Sequence, residues 1–166
     1  MLSSDPVDIQ LEHDAWATRN LIEACARLTR EQFHQPFEMG PGSLHDATTH
    51  IVAAMVFWEN VLEDRELTNW LEDEPQERTP AELLALHEKI AADFAAVAHK
   101  HPLDEFISRV YKGKTYTYTC GIVITHVTTH GMHHRAQCLN MLRQLGVDPL
   151  PKSSVTEWCR AVDRIR

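Results

Sequence analysis

Residues Tyr118 to Gly146 read YTCGIVITHVTTHGMHHRAQCLNMLRQLG, one long apolar-periodic segment. Ile122, Thr125, Val127, Leu139, Met141, Leu142 and Leu145 recur at helical spacing, which predicts a single long helix with these residues inward and Gly146 as its stop. Four histidines, His126, His130, His133 and His134, fall within nine residues of it. At about 100° per residue, His130 and His134 stand one turn apart with an offset of about 40°, so both imidazoles lean toward one point. The pairs His126/His130 and His130/His133 meet the angular test nearly as well, so spacing alone leaves the chelating pair open.

Just upstream, from Glu105 to Tyr118, the period changes from helical to alternating. Phe106, Val110, Tyr111, Tyr116 and Tyr118 flank Lys112-Gly113-Lys114, which predicts a small β-hairpin before the last long helix. Its tyrosines either wall a pocket or cover a bundle end. Thr79-Pro-Ala-Glu82 is a capping box with proline at the first helical position; it opens a third helix bearing Leu83, His87, Ile90, Phe94 and Val97 and closing before Pro102. His87 reads as structural. Ser43 caps a second helix over roughly residues 43–64, with Ala47, His50, Ile51, Ala54, Phe57, Trp58, Val61 and Leu62 on one face. Asp5-Pro6 opens a first helix over roughly residues 6–28, on which His13 and Asn20 share the sector of Trp16 and Ala17.

The connections are predicted from lapses in period. Residues 29–42 carry Pro36, Gly40, Pro41 and Gly42, and residues 65–78 are charged and carry Pro75, so the first reads as irregular and the second as a solvated loop. After the last long helix, Asp148-Pro-Leu-Pro151 forms a stiff turn. Ser153 or Ser154 then caps a short helix with Val155, Trp158, Val162 and Ile165, expected on the outside of the bundle.

With 166 residues and 43% hydrophobic content, the chain suffices for one core, and a single domain over residues 1–166 is expected. The net charge of −8, with no basic block, argues against a nucleic-acid partner. Cys25, Cys120, Cys138 and Cys159 are dispersed and form no C-x-x-C pair, which fits a reducing compartment. The first residues lack a basic and apolar leader, and no run approaches the roughly 20 apolar residues of a membrane span, so a cytoplasmic protein without a membrane partner is expected.

Four amphipathic helices imply an all-α four-helix bundle, and bundles build metal sites from inward residues on facing helices. His50 with His130 and His134 gives three nitrogen ligands and leaves coordination positions open, as in catalytic sites. The segment His130-Gly-Met-His133-His134 lacks the glutamate of H-E-x-x-H, which excludes a zincin protease, and no G-x-S-x-G, P-loop or G-x-G-x-x-G occurs. Gln137 lies about 20° from His130 on the helical wheel and is a candidate substrate-positioning residue. Asp46, one turn before His50, is a candidate to orient that imidazole, and Arg135 points away toward an interhelical ion pair.

Three pieces in order, His13-Asp-Ala-Trp16-Ala-Thr-Arg-Asn20, Ser43-Leu44 through His50-Ile51 to Trp58, and His126 through Gln137 with Leu142-Arg-Gln-Leu-Gly146, resemble the DinB/YfiT-like family of four-helix metalloproteins. The resemblance spans about residues 8–146 and implies a bundle of unusual helix order. It also assigns the divalent-metal triad to His50, His130 and His134, where spacing left a tie. Thr129, Gly131 and Ala136 depart from the Asn, Ser and Gly frequent in the family, and the usual aspartate after the terminal prolines is missing.

Relatives of this kind include thiol-dependent transferases and isomerases using bacillithiol, mycothiol or glutathione. The expected activity is therefore thiol S-transfer to a small-molecule substrate, with a divalent ion, zinc or alternatively nickel, activating a low-molecular-weight thiol. Metal-dependent hydrolysis and a non-enzymatic stress-associated metal-binding role are the alternatives. The family and the apolar faces of the first three helices also suggest a homodimer.

Overall fold

Each long helix starts where the sequence supplies a cap. Asp5, Ser43, Thr79 and Thr119 each accept a backbone N–H of the first turn through the side chain, relieving donors that have no partner inside the helix. In the computed structural model, which describes residues 3–67, 70–73 and 76–162, these caps open α1 (Pro6–Cys25), α3 (Leu44–Leu62), α5 (Pro80–Ala98) and α6 (Cys120–Gln144). Short helices α2 (Arg30–Phe33) and α4 (Trp70–Asp73) lie in the connections, and α7 (Val155–Val162) follows α6. Strands β1 (Phe106–Tyr111) and β2 (Lys114–Thr119) pair antiparallel from Phe106↔Thr119 to Tyr111↔Lys114. Their turn residues Lys112 and Gly113 both have positive φ, 49° and 75°, the twist-matched geometry of a two-residue hairpin.

Helix α1 packs on α5 and α6, and α3 packs on the same two, so the successive long helices α1 and α3 occupy opposite corners of a four-helix bundle. The core is divided along the bundle axis. One apolar cluster gathers Leu11, Val52, Phe94 and Val127 with the hairpin's Ile107; the other gathers Leu21, Ile51, Leu83 and Met141. Between them runs a polar layer to which every long helix contributes: Asp14 and Thr18 from α1, His50 from α3, His87 from α5, and His130, His134 and Arg135 from α6. Fixing these polar groups between two dry clusters sets the site's position in the bundle.

Several sequence expectations change. Residues 29–42 contain α2, opened by a Thr29/Gln32 capping box and anchored by buried Phe33, where only an irregular connection was expected. The charged stretch 65–78 contains α4, whose Leu71 is 2% exposed, so it is not simply a solvated loop; Pro75 falls outside the described residues, as does Ile165 near α7. On α6, Ile122 and Thr125 are exposed, and Val123, Ile124, Thr128 and Cys138 face inward beside Val127, Met141 and Leu142. His13 and Asn20 do not enter the polar layer: they bind the carbonyls of Ser153 and Lys152 at 2.9 and 3.0 Å and tie down the segment before α7, whose Trp158 is buried.

His87 is structural in a costly way. It is 1% exposed, and neither ring nitrogen has a hydrogen-bond partner. Burial, aided by Arg135 and Arg19, pushes it down to about 4. An unfolded histidine titrates near 6.5, so between that pH and about 4 the unfolded chain takes up the proton first. Stability is undiminished above about pH 6.5 and falls by about 3 kcal/mol toward pH 4 on this account. Urea denaturation across pH 7 to 4 should therefore show a shallower acid loss in His87→Leu than in the parent; identical slopes would refute this role.

Candidate metal centre

His50 sits in the second turn of α3, and His130 and His134 sit one turn apart on α6, the helix packed against it. The imidazoles converge: ring centroids are 4.9 Å apart for His50/His130, 4.6 Å for His50/His134 and 4.5 Å for His130/His134. One ring nitrogen from each lies within 4.8 Å of the other two, close enough to hold a metal ion, and all three residues are half-buried. Nε2 of His50 and Nε2 of His130 face each other at 3.1 Å.

The outward nitrogens are held. His50 Nδ1 lies 2.5 Å from Oε1 of Glu72, and His134 Nδ1 lies 2.8 Å from Oε1 of Gln137. With oxygens accepting there, both rings carry their proton on Nδ1 and present the Nε2 lone pair inward, the arrangement of metal-binding histidines. Burial, then His134 and His50, push His130 down to about 4; burial also lowers His134, against the opposing hydrogen bond it donates to Gln137 Oε1. Both are therefore neutral at pH 7, as ligation requires. A donor set of three imidazoles, two of them held through Nδ1, fits a divalent transition ion.

A model of the DinB family matches residues 4–158. The chain belongs to the DinB family. Two solved DinB-like proteins share its fold: one from Bacillus subtilis, 17% identical over 87% of this chain and 97% of its own, with a TM-score of 0.64; the other from Bacillus cereus ATCC 10987, 18% identical over 86% and 92%, with a TM-score of 0.65. No curated protein matches the chain. Among the described residues of this DinB protein, no helix is long and apolar enough to cross a membrane.

The DinB bundle places the other expected residues around the triad with distinct tasks. Gln137 is engaged at both ends of its amide, accepting from His134 and donating to His133 Nε2 at 3.0 Å. His126 lies against Trp58 at the edge of the site, with centroids 4.9 Å apart. Asp46 pairs with its neighbour His45 at 3.0 Å, and the carboxylate on His50 is Glu72 instead. Arg135 forms the expected interhelical ion pair, with Asp14. That pair accounts for Gly131, one departure from the family pattern: a Cβ there would meet Asp14 Oδ1 at 2.7 Å and Arg135 Nη1 at 2.8 Å.

Two neighbours of the site escaped the sequence reading, Glu72 and Gly40. Gly40 has φ +53°, and a Cβ on it would lie 2.2 Å from Gln137 Oε1, so any side chain there would strain the backbone and push the Gln137 amide out of its place. The Gly40-Pro41-Gly42 cluster was the available signal. Glu72 had none beyond its charge. Partners of this kind, when removed, weaken metal binding by about 10–100-fold. That range is expected for Glu72→Ala and Gln137→Ala, read by competition with a chromophoric chelator; parental affinity in either would remove its orienting role.

Proposed function

We propose that His50, His130 and His134 hold one divalent ion, zinc or alternatively nickel, and that the protein is a metal-dependent thiol S-transferase acting on a small electrophile. The observation that carries the reading is the lack of a free carboxylate base at the site, where His126 is the one imidazole of the cavity outside the triad. Among the described residues, the cavity of about 220 Å³ beside the triad contains one carboxylate, Glu72, and it is bound to His50. A bound divalent ion would supply the acidity that deprotonates a thiol of ordinary pKa about 8.5, so no side-chain base is required. Glu72 and Gln137 hold the ligand rings in register, with Gln137 acting through His134 as a positioning residue. In the overall reaction a sulfur–carbon bond forms, the electrophile's leaving group departs with the bonding pair, and the thiol proton passes to solvent.

Three of the chain's four cysteines are poor nucleophiles for this role. Cys25, Cys120 and Cys138 are buried, and burial pushes the Cys138 thiol up to about 12. Glu72 on the cavity wall favours a second reading, metal-dependent hydrolysis, in which a carboxylate released from His50 takes a proton from water. A cytoplasmic setting and a homodimer belong to the same proposal; a monomer mass by light scattering at micromolar concentrations would remove the dimer.

The test is a panel of glutathione, bacillithiol and mycothiol with an electrophile, run beside small ester and amide substrates. Transfer should scale with metal content and survive replacement of all four cysteines by alanine in folded protein. Metal-dependent hydrolysis without transfer would overturn the transferase reading, and neither activity would leave a metal-binding module.

A further inference from the structure

Aromatic rings continue away from the triad without a break. His130 packs on His126 (centroids 5.5 Å apart), His126 on Trp58 (4.9 Å), Trp58 on Tyr118 (5.4 Å), and Tyr118 stacks with Tyr116 at 6.4 Å and 7°. Two cavities lie along this wall: the one bounded by His50 and His130, and a second of about 230 Å³ between α3 and the hairpin, reaching Tyr116 and Tyr118. Phe57, Trp58 and Tyr111 line both. Each cavity alone is below the roughly 300–1,000 Å³ of small-molecule sites, a size for one group of a ligand and not for a whole one.

The lining specifies the occupant. Ring faces and edges from two ordered elements favour a flat aromatic group through offset and edge-on contacts. Among the described residues the one charged side chain of the second cavity is Arg109, whose charge is paired with Asp64 at 3.2 Å and which donates to the Ser108 carbonyl at 2.9 Å; its buried Nε has no partner, so what the cavity offers is one N–H for a neutral acceptor and not an unpaired cation for an anion. Were the rings merely packing the hairpin onto the bundle, they would close the space between them, as protein interiors do.

We propose that the second cavity is a subsite for a flat, uncharged aromatic group, which makes the electrophile handled at the triad an aryl compound. The reaction rests on the transferase reading above; the binding does not. With a chloroarene, the thiol sulfur bonds to the ring carbon, the carbon–chlorine bond breaks, chloride leaves with the electron pair, and the thiol proton goes to solvent.

Isothermal titration of the purified protein with 2-naphthol and with its saturated counterpart decahydro-2-naphthol separates aromatic recognition from general apolarity. One saturable site is expected, with 2-naphthol bound about tenfold more tightly and Trp58→Leu weakening it by about tenfold, the effect of one to two lost ring contacts. Tyr116 is 39% exposed on the hairpin, so Tyr116→Ala spares the core and should weaken binding severalfold even where Trp58→Leu fails to fold. Equal affinity for the two alcohols, no saturable binding, or parental affinity in folded Tyr116→Ala would overturn the subsite. The reaction is read separately, as transfer to 1-chloro-2,4-dinitrobenzene against iodoacetamide. Naphthol binding without transfer to either would keep the subsite and reject the transferase reading; transfer without naphthol binding would do the reverse.

Discussion

His134→Ala is expected to lower bound divalent metal from one ion per chain to a trace, and thiol transfer with it, while the bundle stays folded. The loss follows from the donor count. Two imidazoles remain, and affinity should fall by more than about 100-fold, the upper end of what removing an orienting partner does. Folding should survive because His134 is only half-buried and its partner Gln137 keeps its bond to His133. Elemental analysis after dialysis, with a melting curve on the same sample, checks both halves. Full metal content in folded His134→Ala would remove it from the triad. His50→Ala and His130→Ala should lose the metal in the same way.

Arg135→Met should produce the largest loss of stability. Arg135 and Asp14 are 2% and 1% exposed and form an ion pair between α6 and α1, supported by Arg135 donating to Thr18 Oγ1 at 2.9 Å. Removing one partner strands the other charge in the polar layer, at a cost of about 3–5 kcal/mol. For a chain of this size, that lowers the melting temperature by roughly 10 °C. Asp14 Oδ2 and Arg135 Nε have no partner even in the intact pair, so the two charges are incompletely compensated. Replacing both with apolar residues, Asp14→Leu with Arg135→Met, should therefore recover most of the loss. Thermal unfolding of the parent and the two variants decides it, and a double variant no more stable than Arg135→Met would contradict the ion-pair account.

Helix starts were legible because caps are local. Asp5-Pro6, Ser43 and Thr79 through Glu82 act within one turn, and all three helices begin there. The hairpin was legible from Lys112-Gly113 between alternating strands. The inward face of α6 was harder to read, because that helix packs on α1 and α3 and also carries the triad, so its polar inward residues Thr128 and Arg135 interrupt the apolar pattern. Spacing identified the histidine cluster but could not choose among its overlapping pairs; the family resemblance chose His130 and His134, and the structure brings them to His50. Glu72 was out of reach for a different reason. It sits on a four-residue helix with too few residues to show a period, and it meets His50 across 22 positions of chain. Short segments such as α2 and α4 gain their order from tertiary anchors, Phe33 and Leu71, more than from their own helical tendency.

Metal K-edge X-ray absorption of the zinc-loaded protein reads the ligands of the centre themselves. The expected first shell has three imidazole nitrogens at about 2.0–2.1 Å and no sulfur near 2.3 Å, with the imidazole signal reduced in any residual metal of His50→Ala. A sulfur in that shell, or an unchanged shell in His50→Ala, would place the ion elsewhere and contradict a centre built by His50, His130 and His134.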